Sequence, residues 1–286
     1  MKYFYILVIF LMKYIIHYGK KITKSIFSTQ YIRHIDNHNT FSQYDKEKFL
    51  KENEFYRNKR VISISPGGYK GIYLLGTCMY MKENFNLDEF IFSGASAGAW
   101  NSLVMCYKKD ASFIKKEVVD YSLKHAKTII ELESMMKDRI VKLCDPSDFD
   151  LNRLFIGVTT MYNYKANTTI FYGFTNLEDA ANCCIASSHI PLVSGGILNK
   201  YRDMYTFDGG FSKHPYLNIT TSILHLTPNI WINKKPNDNM IKDLSEYTTL
   251  FSKSNFDFTE MYESGYQHAH NNHAFLKYVL DSENYE

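Results

Sequence analysis

The stretch IFSGASAGAWNSLV, residues 91–104, sets one hydroxyl, Ser96, among Gly94, Ala95, Ala97 and Gly98. An apolar run ends at Phe92 and helix-forming residues follow Gly98. Small residues at such a junction serve close packing of strand on helix. They also serve a nucleophile elbow, in which a serine sits on a sharp strand-to-helix turn and its neighbours must be small. Acyl transfer by that serine needs two further things: a base for its proton, and donors aimed at the developing oxyanion.

The stretch SPGGYKG, residues 65–71, suits the second role. Gly67 and Gly68 follow a β-branched strand, VISIS, and precede a helical pattern. Glycines let several backbone N–H groups point at one spot, and a helix N-terminus favours an anion. An ordinary Pro-Gly turn has the same composition. Neither the phosphate-loop spacing nor G-x-G-x-x-G is spelled here. For the base, Asp208 stands in FDGG at a strand end, with His214, His225, His268, His270 and His273 downstream. A Ser–Asp–His order is therefore open, as is a base supplied by Asp208 alone. The HAHNNH run is too loosely spaced for a metal site and reads as a solvated helix face.

The elements around these residues follow an α/β pattern. The organised domain starts at Val61. VISIS reads as a strand, Gly71 to Asn84 as a helix, Glu89 to Phe92 as a short buried strand, and the residues after Gly98 as a helix. Residues 108–143 read as mostly helical. LFIGVTTM and TTIFYGF predict a hairpin. Asn176 predicts an N-cap for a helix reaching Ser187. After Pro236 the pattern is helical. The boundaries are an apolar segment over 1–27, a polar linker over 28–60, a catalytic domain over 61–230 and a helical extension over 231–286 packed on that domain.

Composition narrows the partners. With 286 residues and 45% hydrophobic content, the chain can build a large core, and a net charge of +3 gives no clustered basic face for nucleic acid. The cysteines, Cys78, Cys106, Cys144, Cys183 and Cys184, show neither C-x-x-C nor zinc spacing, which suits a reduced, cytosol-facing chain. Tyr3 to Met12 is wholly apolar, then Lys13 interrupts it. That is short of the ~20 residues of a full span. Lys20, Lys21 and Lys24 follow, so an inserted or interfacial helix would leave the catalytic domain on the cytosolic side. A buried helix and a signal peptide are the other readings.

Taken together, the blocks resemble the patatin-like phospholipase family, particularly its adiponutrin-like branch. ISISPGGYKGIYLLG looks like the glycine-rich oxyanion block, GASAG like the nucleophile block, CIASSHIPLVSGG like the Ala-Ser-x-x-x-Pro helix end, and YTFDGG like the Asp-Gly-Gly block. The resemblance covers about residues 61–215. It implies a three-layer α/β fold with a central, mostly parallel sheet and flanking helices. It implies a lipid acyl hydrolase without metal or cofactor, acting on phospholipid or glycerolipid at a membrane or lipid-droplet surface. Ser96 would be the nucleophile and Asp208, of the Asp208-Gly209-Gly210 block, its partner in a dyad without histidine. Gly67, Gly68, Lys70 and Gly71 would form the oxyanion loop. Pro66 departs from the pattern and has no N–H to give. His189 also departs, and reads as packing first. The rivals are a Ser–His–Asp esterase and a membrane or lipid-droplet scaffold that lost turnover.

Overall fold

A computed structural model describes residues 31–34, 43–162, 165–219, 222–231 and 257–281. The apolar segment Tyr3 to Ile16 lies outside them. Among the described residues no helix is long and apolar enough to cross a membrane.

The strands are β1 (Tyr31–His34), β2 (Arg60–Ile64), β3 (Phe90–Ala95), β4 (Leu154–Tyr162), β5 (Lys165–Phe171), β6 (Asn199–Tyr201), β7 (Met204–Phe207) and β8 (Ser222–Leu226). They form one sheet in the order β1-β5-β4-β3-β2-β8, with β7 on β4 and β6 on β7. The centre, β4-β3-β2-β8, is parallel. The β1–β5, β4–β5, β4–β7 and β6–β7 pairs are antiparallel. The sheet is therefore mixed, with a parallel heart. The β4–β5 pair is the hairpin that the sequence predicts.

Parallel strands covered on both faces carry near-continuous apolar runs, and β3 is buried at every position. The two-residue period sorts the side chains. Ile62, Ile64, Phe90, Phe92, Leu154 and Ile156 enter the larger core. Val61, Ile91 and Phe155 enter a smaller one with Phe49, Tyr56, Leu217 and Ile219.

The helices are α1 (Gln43–Glu52), α2 (Gly71–Asn84), α3 (Ala97–Met105), α4 (Ala111–Ile114), α5 (Tyr121–His125), α6 (Ile129–Leu143), α7 (Leu177–Ser187), α8 (Phe258–Asn271) and α9 (His273–Asp281). Asn176 caps α7 by accepting from the Asp179 N–H at 2.8 Å. Thr128 caps α6, accepting from the Glu131 N–H at 3.2 Å. The stretch read as mostly helical over 108–143 is divided. A π-helical turn at Lys115–Asp120 and extended backbone at Ala126 and Thr128 separate its pieces. The stretch read as a polar linker also does more than link. It supplies β1, α1 and the buried rings of Phe49 and Tyr56, which stack at 5.5 Å between centroids.

Helix α8 lies against α2 backbone to backbone. A Cβ added at Gly265 would collide with the Tyr73 carbonyl, and one at Gly76 with the Tyr262 carbonyl. Thr77 reinforces the contact by donating to the Gly265 carbonyl at 3.2 Å. Overpacking of this kind costs about 1–3 kcal/mol. Gly265→Ala is therefore expected to lower the unfolding free energy by that amount. A denaturant midpoint equal to wild type would show that the two backbones do not pack this closely.

Candidate active site

Strand β4 organises the site. On one edge it pairs continuously with β5. On the other edge β3 runs alongside its first half and ends with Ala95 opposite Gly157. Strand β7 runs antiparallel along the second half and ends with Phe207 opposite Thr159. The ends of β3 and β7 therefore face each other across one position of β4. Ser96 follows one end and Asp208 follows the other.

Ser96 Oγ donates to Asp208 Oδ2 at 2.6 Å. The serine has φ 54° and ψ −127°, a region that costs a side-chain-bearing residue about 1–3 kcal/mol. Its surroundings hold it there. Its N–H donates to Ser187 Oγ at 2.8 Å, and that hydroxyl donates to the Gly157 carbonyl at 2.6 Å. Its carbonyl accepts from the Ala99 N–H at 2.9 Å, which starts α3. Gly98 is required because a Cβ there would meet the carbonyls of Ile64 and Ser65.

Asp208 is wholly buried. Its Oδ1 accepts from the Gly210 N–H at 2.6 Å. Its N–H donates to the His189 carbonyl at 2.7 Å, and its carbonyl accepts from Thr159 Oγ1 at 2.9 Å. Burial pushes its carboxyl up from 3.8 to about 6, while the Ser96 hydroxyl and the Gly210 amide favour the ionised form. At neutral pH it remains a carboxylate able to take a proton.

The glycine turn comes to the same place. Gly68 has φ 51° and opens a 3₁₀ turn, Gly68–Lys70, that runs straight into α2. The Lys70 N–H is spent on the Gly67 carbonyl at 3.0 Å, and the Gly71 N–H on the carbonyls of Gly68 and Tyr69. Among the backbone hydrogen bonds of the described residues, the Gly67 and Gly68 amides donate to none. Of the four residues proposed for the oxyanion loop, these two keep free donors. Asn101 Nδ2 fixes the turn by donating to the Gly71 carbonyl at 3.0 Å.

Four of the five downstream histidines are engaged elsewhere. His225 Nδ1 pairs with Ser63 Oγ at 2.8 Å, His268 with the Tyr73 hydroxyl and His273 with the Tyr80 hydroxyl, each at 2.8 Å. His270 reaches Gln267 at 3.4 Å. None of them is hydrogen-bonded to Ser96 or Asp208. The His189 ring packs near Phe207, and burial lowers its pKa. Its carbonyl, not its ring, serves Asp208. The sequence reading missed Ser187, Thr159 and Glu133. For Ser187 a signal existed, since it is the serine of the Ala-Ser-x-x-x-Pro block.

A partly open pocket lies beside Ser96, with about 580 Å³ of empty space that includes solvent at its mouth. Gly68, Ile72, Leu75, Trp100, Leu132 and Met136 line much of it, and most of its wall is apolar.

No family model matches the chain. It is 28% identical over 171 residues to the human patatin-like phospholipase domain-containing protein 4, covering 53% of this chain. It spans 64% of the length of that curated relative. This likeness supports the patatin-like family. Among solved structures, VipD from Legionella pneumophila matches with a TM-score of 0.40 and 14% identity, over 59% of this chain and 49% of that one.

The raised Asp208 pKa has a consequence for folding. The folded state binds the proton more tightly than the unfolded chain, so this group contributes stability at low pH. That contribution is lost as pH rises from about 3.8 towards about 6. Two units correspond to about 3 kcal/mol. The difference in unfolding free energy between Asp208→Asn and wild type is expected to move by that order in favour of the variant from pH 4 to pH 7. Parallel stability profiles would mean that Asp208 pays no such burial cost.

Proposed function

We propose that this chain is a lipid acyl hydrolase of the adiponutrin-like patatin branch, working through a Ser96–Asp208 dyad and an acyl-serine intermediate. The observation that carries the reading is the 2.6 Å bond from Ser96 Oγ to a buried carboxylate, at the mouth of an apolar cavity. A base within ~2.6–3.2 Å of the proton it takes meets the geometric requirement for general base catalysis. The likeness to a patatin-like phospholipase supports a lipid hydrolase at the family level.

Asp208 takes the seryl proton as Ser96 Oγ bonds to the acyl carbonyl carbon. The carbonyl oxygen becomes an oxyanion, which the free Gly67 and Gly68 amides stabilise. As the intermediate collapses, the ester C–O bond breaks and Asp208 returns the proton to the leaving alcohol. Water then attacks acyl-Ser96, giving its proton to Asp208. Release of the fatty acid restores the serine with that proton. The apolar wall takes the acyl chain, and the substrate is a phospholipid or glycerolipid ester.

Ser96→Ala is expected to lower ester hydrolysis by far more than tenfold, with Asp208→Asn nearly as damaging. His214→Ala and His225→Ala should each retain turnover within a few-fold. In wild type, kcat/KM should rise with pH through about 6, as Asp208 ionises. A single histidine change as costly as Ser96→Ala would favour the Ser–His–Asp rival. Failure of a fluorophosphonate probe to label Ser96 would favour the inactive scaffold.

We also propose that the catalytic domain is held at the cytosolic face of a membrane or lipid droplet by the Tyr3–Ile16 segment. Each buried methylene contributes about 0.8 kcal/mol and each nearby lysine about 1 kcal/mol at an anionic surface. Deleting residues 1–24 should spare hydrolysis of a soluble short-chain ester and reduce hydrolysis of lipid in liposomes. Equal flotation of the truncated and full-length proteins with liposomes would remove the anchor.

A further inference from the structure

Helix α6 turns Ile129, Leu132, Glu133 and Met136 towards the cavity beside Ser96. The spacing i, i+3, i+4, i+7 is the apolar stripe of an amphipathic helix. Three of the four positions obey it. The fourth is a carboxylic acid, 6% exposed. Burying a polar group in an apolar wall is costly unless it has a partner. A leucine or methionine at 133 would complete the stripe.

The groups around Glu133 define what it can do. Ser188, also on the cavity wall, spends its single hydroxyl proton on the Cys184 carbonyl at 2.9 Å. Trp100 Nε1 is buried and lies beside the Glu133 carboxyl. Burial pushes the Glu133 carboxyl up from 4.5 to about 8; the neighbouring Ser188 and Trp100 side chains pull the other way, and the charge of Asp208 adds to the rise. At neutral pH the acid keeps its proton. A mostly apolar chamber, whose lining also includes Asn101 and Ser188, thus contains a neutral O–H donor, in the same cavity as the serine.

We propose that Glu133 is a specificity-determining residue that donates a hydrogen bond to an oxygen carried part-way along the acyl chain, so that the cavity selects oxygenated acyl esters over plain hydrocarbon ones. A plain chain offers the acid only C–H groups. A hydroxyl, keto or epoxide oxygen offers it an acceptor, and a hydroxyl adds a proton that the carboxyl C=O can receive. One net hydrogen bond made in a buried site corresponds to about a fivefold to tenfold preference.

The inference rests on the reading of this cavity as the acyl pocket, and binding separates the two. Methyl octadecanoate and a series of methyl hydroxyoctadecanoates, with the hydroxyl moved stepwise along the chain, are titrated against full-length Ser96→Ala protein. Trp100, beside Glu133, supplies the fluorescence signal. At least one hydroxyl position is expected to bind fivefold or more tighter than the plain ester. Glu133→Gln, which keeps N–H donors, should preserve the preference, and Glu133→Met should abolish it. The inference is overturned if every position binds no better than the plain ester, or if the preference survives in a folded Glu133→Met; the acyl-pocket reading then stands. If no ester binds at all, the pocket reading fails and the inference with it.

Discussion

Strand β4 meets β3 and β7 end to end along one edge, and the site depends on that arrangement. Ala95 is fixed opposite Gly157 and Phe207 opposite Thr159, so the residues after each strand end must face one another. The same two β4 residues then hold what lies beyond. The Gly157 carbonyl anchors Ser187, which receives the Ser96 amide, and the Thr159 hydroxyl holds the Asp208 carbonyl. A one-residue slip of β7 would turn its side chains to the opposite face and remove Asp208 from Ser96. The β6–β7 pair braces β7 along its other edge.

Holding the pair in place has two costs, both met by hydrogen bonds. Ser96 is kept in a strained conformation by bonds at its N–H and its carbonyl. Asp208, though buried, is kept charged by one hydroxyl and one amide. The strained turn sets the hydroxyl at the start of α3, close to where the glycine turn leads into α2. Burial raises the carboxylate's affinity for a proton, and the bonds from Ser96 and Gly210 stop it rising far enough to neutralise the group at pH 7. On the proposed reading, a base without an imidazole needs that balance.

Local chemistry made part of this legible in the sequence. Four small residues around one hydroxyl mark the elbow because backbone atoms occupy the space their side chains would need. The β4–β5 hairpin shows because β-branched runs flank a polar turn. Asn176 shows as a cap because its side chain has one obvious use. What escaped the sequence depends on distant partners. Phe49 and Tyr56 are sparse apolar residues in a charged stretch, and only the second face of the sheet gives them a role. The break at Lys115–Asp120 comes from packing and carries no Pro or Gly signal. That Lys70 and Gly71 spend their amides within the 3₁₀ turn is a hydrogen-bonding fact invisible in SPGGYKG. Glu133 escaped because a glutamate in a helix ordinarily marks the solvent side.

One carboxyl group is bonded to Ser96 and a second lines the cavity that Ser96 borders, and their environments separate them. Asp208 has two donors aimed at its oxygens, the Ser96 hydroxyl and the Gly210 amide, and stays ionised at neutral pH. Glu133 lies in an apolar wall beside a serine whose proton is spent elsewhere, and it stays protonated. Each also sharpens the other. A negative Asp208 makes a second negative charge in the same low-dielectric space more costly, which keeps the proton on Glu133. A neutral Glu133 spares Asp208 the same repulsion and leaves it free to ionise. Where environments push two carboxyl pKa values apart, their acid and base roles separate, and the two proposed roles follow that order. The register along β4 thus decides which carboxylate touches the serine, and the apolar stripe of α6 decides that the other remains a neutral acid.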